Sequence, residues 1–259
     1  MKSLKTVLGM AAGLLLALPS VAQAQVTRVT KDDFVAGSGL ITFSEKPVGT
    51  VNPTYVAADY GGGPDGPTVT FDGFFNGQSL GAGCGGVATG CVVGSPTGPL
   101  TLNAASPNAS IVNDGAAPNS PVLSGSPTFN GPIGILFDRD LAGVGFDAGF
   151  FNAIGGTAVT AYGADGRLLG SVSNTGLGIE FLGLVTNDGS EQIRGVLFSL
   201  VGNEPAGFAI DSLRFGRRGQ VVAPNAVPEP STWAMLILGF GALGGMMRQR
   251  KQQARVAYA

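Results

Sequence analysis

The sequence predicts an all-β domain with one helical segment at each end, and three observations carry this. Short alternating or β-branched runs are punctuated by Gly and Pro, 43 and 16 of them in 259 residues, and nothing before residue 231 sustains a period near 3.6. The first 24 residues hold an apolar run behind two lysines. The last 32 hold a second apolar run, bounded by prolines on one side and an Arg/Lys cluster on the other.

The N-terminal element reads as a signal peptide, residues 1–24. Lys2 and Lys5 make a positive start, residues 7–18 an apolar stretch too short to span a bilayer, and Ala22-Gln23-Ala24 a small-x-small cleavage site. Signal peptidase is the implied partner. The mature chain would begin at Gln25.

Residues 25–226 form the predicted β domain. About 200 residues suffice for one sizeable core, so a single domain is expected. Candidate strands lie at 40–44, 68–71, 100–102, 110–112, 133–137, 143–146, 158–161, 168–172, 178–182, 193–200 and 207–215. Ala164-Asp165-Gly166 carries the Asp-Gly pair of a tight type I′ hairpin, and Asn187-Asp188-Gly189 is a second turn signal. In the last run, Phe208 and Ile210 share one face. Leu213 and Phe215 join it only if one extra residue intervenes, which predicts a β-bulge near Asp211-Ser212 that turns Asp211 out of the regular alternation.

Residues 81–130 are dominated by Gly, Pro, Ser, Asn and Ala and read as a long insertion, with edge strands at Leu100 and Ile111. Cys84 and Cys91 are the two cysteines, on a glycine-rich loop whose ends can meet. In an oxidising compartment they are expected to pair. Two thiols without histidine do not complete a usual zinc shell.

The C-terminal element, residues 227–259, opens with Val227-Pro228-Glu229-Pro230, where the prolines disfavour helix and hold the chain extended. A helix over 231–247 follows, without charge, and 17 residues reach about 26 Å, just short of a hydrocarbon core of about 30 Å. Arg248-Gln249-Arg250-Lys251 closes it and stays cytoplasmic by the positive-inside rule. Pro228, Glu229 and Pro230, one membrane-length helix and a basic end, in that order, resemble the PEP-CTERM sorting tail, which some families also carry under an ice-binding label. The resemblance implies an exported protein, held transiently in the inner membrane with its domain in the periplasm. An exosortase would then recognise Pro228, Glu229 and Pro230 and remove the helix, delivering the protein to the outer surface or beyond.

Between residues 25 and 227, nine Lys/Arg stand against sixteen Asp/Glu, a net charge of −7 rather than the −2 of the whole chain. That argues against nucleic acid, which needs a basic footprint. The absence of any histidine removes Ser-His-Asp triads, Cys-His pairs and His-based metal centres. A glycosidase needs two carboxylates about 5 to 9.5 Å apart. Asp147, Glu180, Glu191 and Glu204 are the acids available, with Glu180 expected on the solvent face of its strand. Sixteen acids always offer pairs, so no catalysis is expected from that signal. Thr68-Val69-Thr70 is too short a threonine array for an ice lattice.

Val144-Gly145-Phe146-Asp147, Val159-Thr160-Ala161-Tyr162 and Phe208-Ala209-Ile210-Asp211, together with the opening Ile41-Thr42-Phe43-Ser44-Glu45, resemble jelly-roll sandwiches of the carbohydrate-binding and lectin-like kind. The resemblance implies a single antiparallel β-sandwich. It also implies a structural Ca²⁺ between Glu45 and Asp211, although no cofactor is required by the residues themselves. Asp138-Arg139-Asp140 reads as a solvated turn. Sugars stack on aromatic rings, and Tyr55, Phe75, Phe150 and Tyr162 are the candidates. A Phe-Phe pair on a strand sends one ring outward. Trp233 is the only tryptophan and lies in the tail. The expected role is therefore an exported envelope or matrix protein, structural or adhesive, with exopolysaccharide as a partner. The alternative is a calcium-stabilised glycan-binding module.

Overall fold

A computed structural model describes residues 25–82, 91–114, 120–205, 208–224 and 236–241. Among the described residues the strands, in chain order, are β1 (Val26–Val29), β2 (Gly39–Ile41), β3 (Thr54–Tyr55), β4 (Val69–Asp72), β5 (Gln78–Leu80), β6 (Val92–Gly94), β7 (Ala109–Asn113), β8 (Pro121–Gly125), β9 (Ile133–Leu141), β10 (Gly143–Phe151), β11 (Thr157–Tyr162), β12 (Leu168–Ser173), β13 (Gly178–Thr186), β14 (Ile193–Leu200) and β15 (Ala209–Gly216). Two short 3-10 helices, Lys31–Asp33 and Ala57–Tyr60, interrupt them. The predicted signal peptide and sorting motif lie outside the described residues. So does the tail helix, apart from helical residues 236–241. No helix among the described residues is long and apolar enough to cross a membrane.

All named strand pairs are antiparallel. One sheet runs β1-β13-β10-β15-β8-β7 with β2 also on β15, the other runs β12-β11-β14-β9-β4-β3, and β5-β6 is a separate ribbon. The last eight strands thus alternate between layers as β8-β15-β10-β13 and β9-β14-β11-β12. This is the order of a jelly roll wound from two Greek keys.

Period-two alternation sends one face of each sheet into a shared core. Phe146, Leu182, Leu184, Ile210 and Phe215 of the first sheet meet Ile135, Val159, Val196 and Phe198 of the second. Phe198 sits at the centre, with ring centroids 5.2 Å from Phe146 and 4.9 Å from Phe208 in edge-on contacts. Edge-on packing suits the ring quadrupoles.

Both outer faces carry a cover as well. Phe74, Phe75 and Leu100 close over Tyr162 and Leu197 behind the second sheet. Phe34 and Val221 close over Val29 and Val185 behind the first. Double covering makes the long strands nearly continuous apolar runs, as in β14, rather than clean alternations.

The stretch 81–130 is more than an insertion. It supplies β6, β7 and β8, and β8 takes an inner place beside β15. Residues 100–102 are not a strand: Leu100 is buried in the cover, and Leu102 makes only an isolated bridge to Phe75. Asp138-Arg139-Asp140 is not a turn but the end of β9, where Asp138 accepts from Thr68 N and Asp140 pairs with Arg194 at 2.9 Å. The loop after β11 is not type I′. Gly166 N bonds Gly163 O, Gly163 N bonds Arg167 O, and Gly166 alone of the central residues has positive φ, +80°. The pattern is a type I turn followed by a left-handed glycine.

The expected bulge is present. Gly145 pairs with Arg214 and Asp147 with Asp211, so two steps on β10 oppose three on β15. Ser212 takes up the surplus at φ +50°. Phe208, Ile210, Leu213 and Phe215 are all buried as a result.

Candidate functional site

The cover over the first sheet is incomplete. Phe34, Phe181 and Val221 shield one end of its outer face, and the other end is open. There β10 presents Asp147 and Phe150, β15 presents Asp211, and β13 presents Ile179 along a cleft of about 450 Å³. Asp114 and Phe129 complete its rim. Phe150 is 63% exposed and Ile179 68% exposed. Phe146, Ala148 and Phe151 of the same strand point into the core, so the phase of β10 sets which side chains reach the cleft.

Asp147 and Asp211 are register partners on adjacent strands. Asp147 has one distant counter-ion, Lys31 Nζ at 3.8 Å. Burial pushes the Asp211 carboxyl above the usual range, and the charges of Asp147 and Glu45 push it the same way. Ser212 N, donating to Asp211 Oδ1 at 2.6 Å, and the Ser120 side chain pull against that rise.

The expected calcium pair is close enough to interact electrostatically, yet Glu45 Oε1 accepts from both Thr42 N and Thr42 Oγ1 at 2.9 Å. Among the described residues, no group of three or more His, Cys, Asp or Glu side chains forms a set able to hold a metal ion. Calcium needs six to eight oxygens. Glu45 and Asp211 do not make that set by themselves.

Of the four rings expected to stack on sugar, only Phe150 is available. Tyr55 is fully buried between Phe43 and Phe71, with Lys46 Nζ 5.0 Å from its ring centre. Burial there drives its phenol pKa upward, with Glu45 and Asp59 adding to the rise. Phe75 and Tyr162 pack edge-on against each other behind the second sheet, and Gln78 Nε2 donates to the Tyr162 hydroxyl. Neither member of Phe74-Phe75 points outward, because the strand ends at Asp72 and the pair lies in the cover.

The remaining acids are engaged elsewhere. Glu180 does not sit free on a solvent face; its neighbour Ile179 is the exposed one. Glu180 accepts from Thr175 N, Thr175 Oγ1 and Gly176 N and pairs with Arg28 at 3.0 Å. Burial raises its pKa, but these bonds and Arg28 outweigh that and hold it below the usual range. Glu191 meets Arg217 and Arg218 N. Glu204 is buried and accepts from Asn152 N and Ala153 N, pinning the loop that follows Phe150.

Sequence reasoning selected Phe150 and Asp211 but missed Ile179, Asp114 and Phe129 as neighbours. The alternation around Glu180 was a usable signal for Ile179, read in the wrong phase. Cys84 lies outside the described residues, and Cys91 precedes β6, its carbonyl accepting from Gly81 N at 2.8 Å.

Residues 226–251 match the PEP-CTERM protein-sorting motif. Neither a curated protein nor a solved structure matches the chain. The chain therefore carries an exosortase-type sorting signal, which implies export and processing at the membrane.

The raised pKa of Asp211 has a definite sign. A carboxyl that binds its proton more tightly when folded adds stability below its unfolded pKa. It costs stability once pH rises through the folded value and the buried charge forms. Asp211→Asn keeps the acceptor for Ser212 N and removes that charge. Thermal melts should show a higher midpoint for the variant at pH 7 and convergence with the parent in acid, and a lower midpoint at pH 7 would contradict this reading of Asp211.

Proposed function

We propose that the chain is an exported envelope or extracellular-matrix protein with an adhesive or structural role. After its sorting tail is processed, it holds exopolysaccharide through the Phe150 cleft, without catalysis. The placement of that cleft supports the reading most. Val221, near the end of the domain's cover, lies against Gly143 at one end of β10, where a Cβ on Gly143 would come within 3.0 Å of it. Phe150 lies at the other end of the strand, about 20 Å away at the usual rise. Val221 and Ala223, packed in the cover before the sorting motif, thus lie toward one end of β10 and the cleft toward the other.

Chemically, the cleft joins an exposed ring, which suits the C–H face of a sugar, to carboxylates that accept from hydroxyls. The non-catalytic part of the reading draws on the missing histidine and on the prior engagement of Glu180, Glu191 and Glu204. The second reading is a calcium-stabilised glycan-binding module. It draws on the repulsion that Asp147 and Glu45 each exert on Asp211, which a bound cation would relieve. We also propose that Cys84 and Cys91 pair after export.

Retention of the mature domain on the producer's own polysaccharide tests the binding claim. Phe150→Ala should weaken it about tenfold, the worth of one aromatic contact of about 1.4 kcal/mol, with an unchanged melting midpoint. Equal retention by the variant would remove the cleft from the account. Loss of parental retention on adding a calcium chelator would favour the second reading, and a shortened polysaccharide after incubation would contradict the non-catalytic one.

For sorting, intact mass of the chain from cells expressing Glu229→Ala should show an uncleaved tail where the parent lacks it. The parental mass should also be two hydrogens below that of the reduced chain. Normal tail loss in the variant would refute a role for Glu229, and an unshifted parental mass would refute the disulfide.

A further inference from the structure

We propose that Gln25 becomes a pyroglutamate in the mature protein, a modification that rests on the reading of signal-peptide removal after Ala24. Gln25 occupies the seam between the two sheets. Its backbone N donates to Leu169 O of β12 at 2.9 Å, and its carbonyl accepts from Asn187 N, just after β13, at 2.9 Å. Its side-chain Oε1 accepts from Arg167 Nη1 at 2.8 Å.

Cleavage before Gln25 would convert that backbone N into an α-ammonium on the residue whose side chain already holds the Arg167 guanidinium. Two positive charges would then share one residue's polar groups. Arg167 itself pairs with Asp165 at the long distance of 3.8 Å. Like charges at such range disfavour the protonated amine, and the neutral amine is the nucleophile for ring closure.

In the closure, the α-nitrogen attacks Cδ of its own side chain, the N–Cδ bond forms and the Cδ–Nε2 bond breaks. The displaced nitrogen leaves as ammonia, carrying the proton that the α-nitrogen gives up. No oxidant, reductant or co-reactant enters. The lactam keeps what the fold uses: one N–H to donate to Leu169 O, an oxygen to accept from Arg167, and the unchanged carbonyl for Asn187 N. It removes the positive charge that cleavage would place beside Arg167.

The test is the N-terminal peptide of the mature protein isolated from the exporting cell, read by mass spectrometry. A synthetic peptide starting with Gln25 is carried through the same handling to expose closure during preparation. The expected result is a peptide starting at residue 25 and lighter by one ammonia, opened to further sequencing by a pyroglutamate-specific aminopeptidase, with the control peptide unmodified. A peptide starting with intact Gln25 would overturn the modification and leave the signal-peptide reading standing. A peptide starting elsewhere would overturn both.

Discussion

The single residue that β15 carries in surplus is the constraint on which the rest of the molecule depends. A strict two-residue period would bury either Phe208 and Ile210 or Leu213 and Phe215, never both pairs. Ser212, at φ +50°, absorbs the extra step and lets all four side chains enter the core. β15 is bonded to β10, β8 and β2, so its phase is transmitted to three neighbours. The same step turns Asp211 out of the core and places it opposite Asp147 in the cleft. Core packing and the chemistry of the candidate site thus have one geometric origin.

The cleft exists because the outer face of the first sheet is only half covered. Both covers come from segments beyond the jelly-roll strands: Phe74, Phe75, Val92, Leu100 and Leu102 behind the second sheet, and the two ends of the domain behind the first. Phe34 and Val221 bring those ends together at one pole, with Val222 N bonded to Asp33 O at 2.9 Å. The cleft with Phe150 and Ile179 lies toward the other end of β10.

Most strands were legible because β-branched runs and glycine punctuation report local geometry directly, and the bulge was legible because a phase slip is itself a pattern. The cover was not. Phe74 and Phe75 sit outside any regular strand, so alternation gave no guide to them. Their burial depends on Leu197, more than 100 residues away in the chain. β8 was hidden by composition, since Pro121 opens it and small residues close it. For the site, aromatic identity pointed equally to four rings, and only tertiary packing separates Phe150 from Tyr55, Phe75 and Tyr162. The sorting motif was the most legible feature of all because its meaning lies in the order of its residues, not in a fold.

Substituting Ser212 tests the surplus step most directly. Its φ of +50° suits glycine and strains a β-branched side chain. The account predicts that Ser212→Val lowers the urea unfolding midpoint of the mature domain, while Ser212→Gly leaves it unchanged or raises it. A Ser212→Val variant that unfolds at the parental midpoint would contradict it.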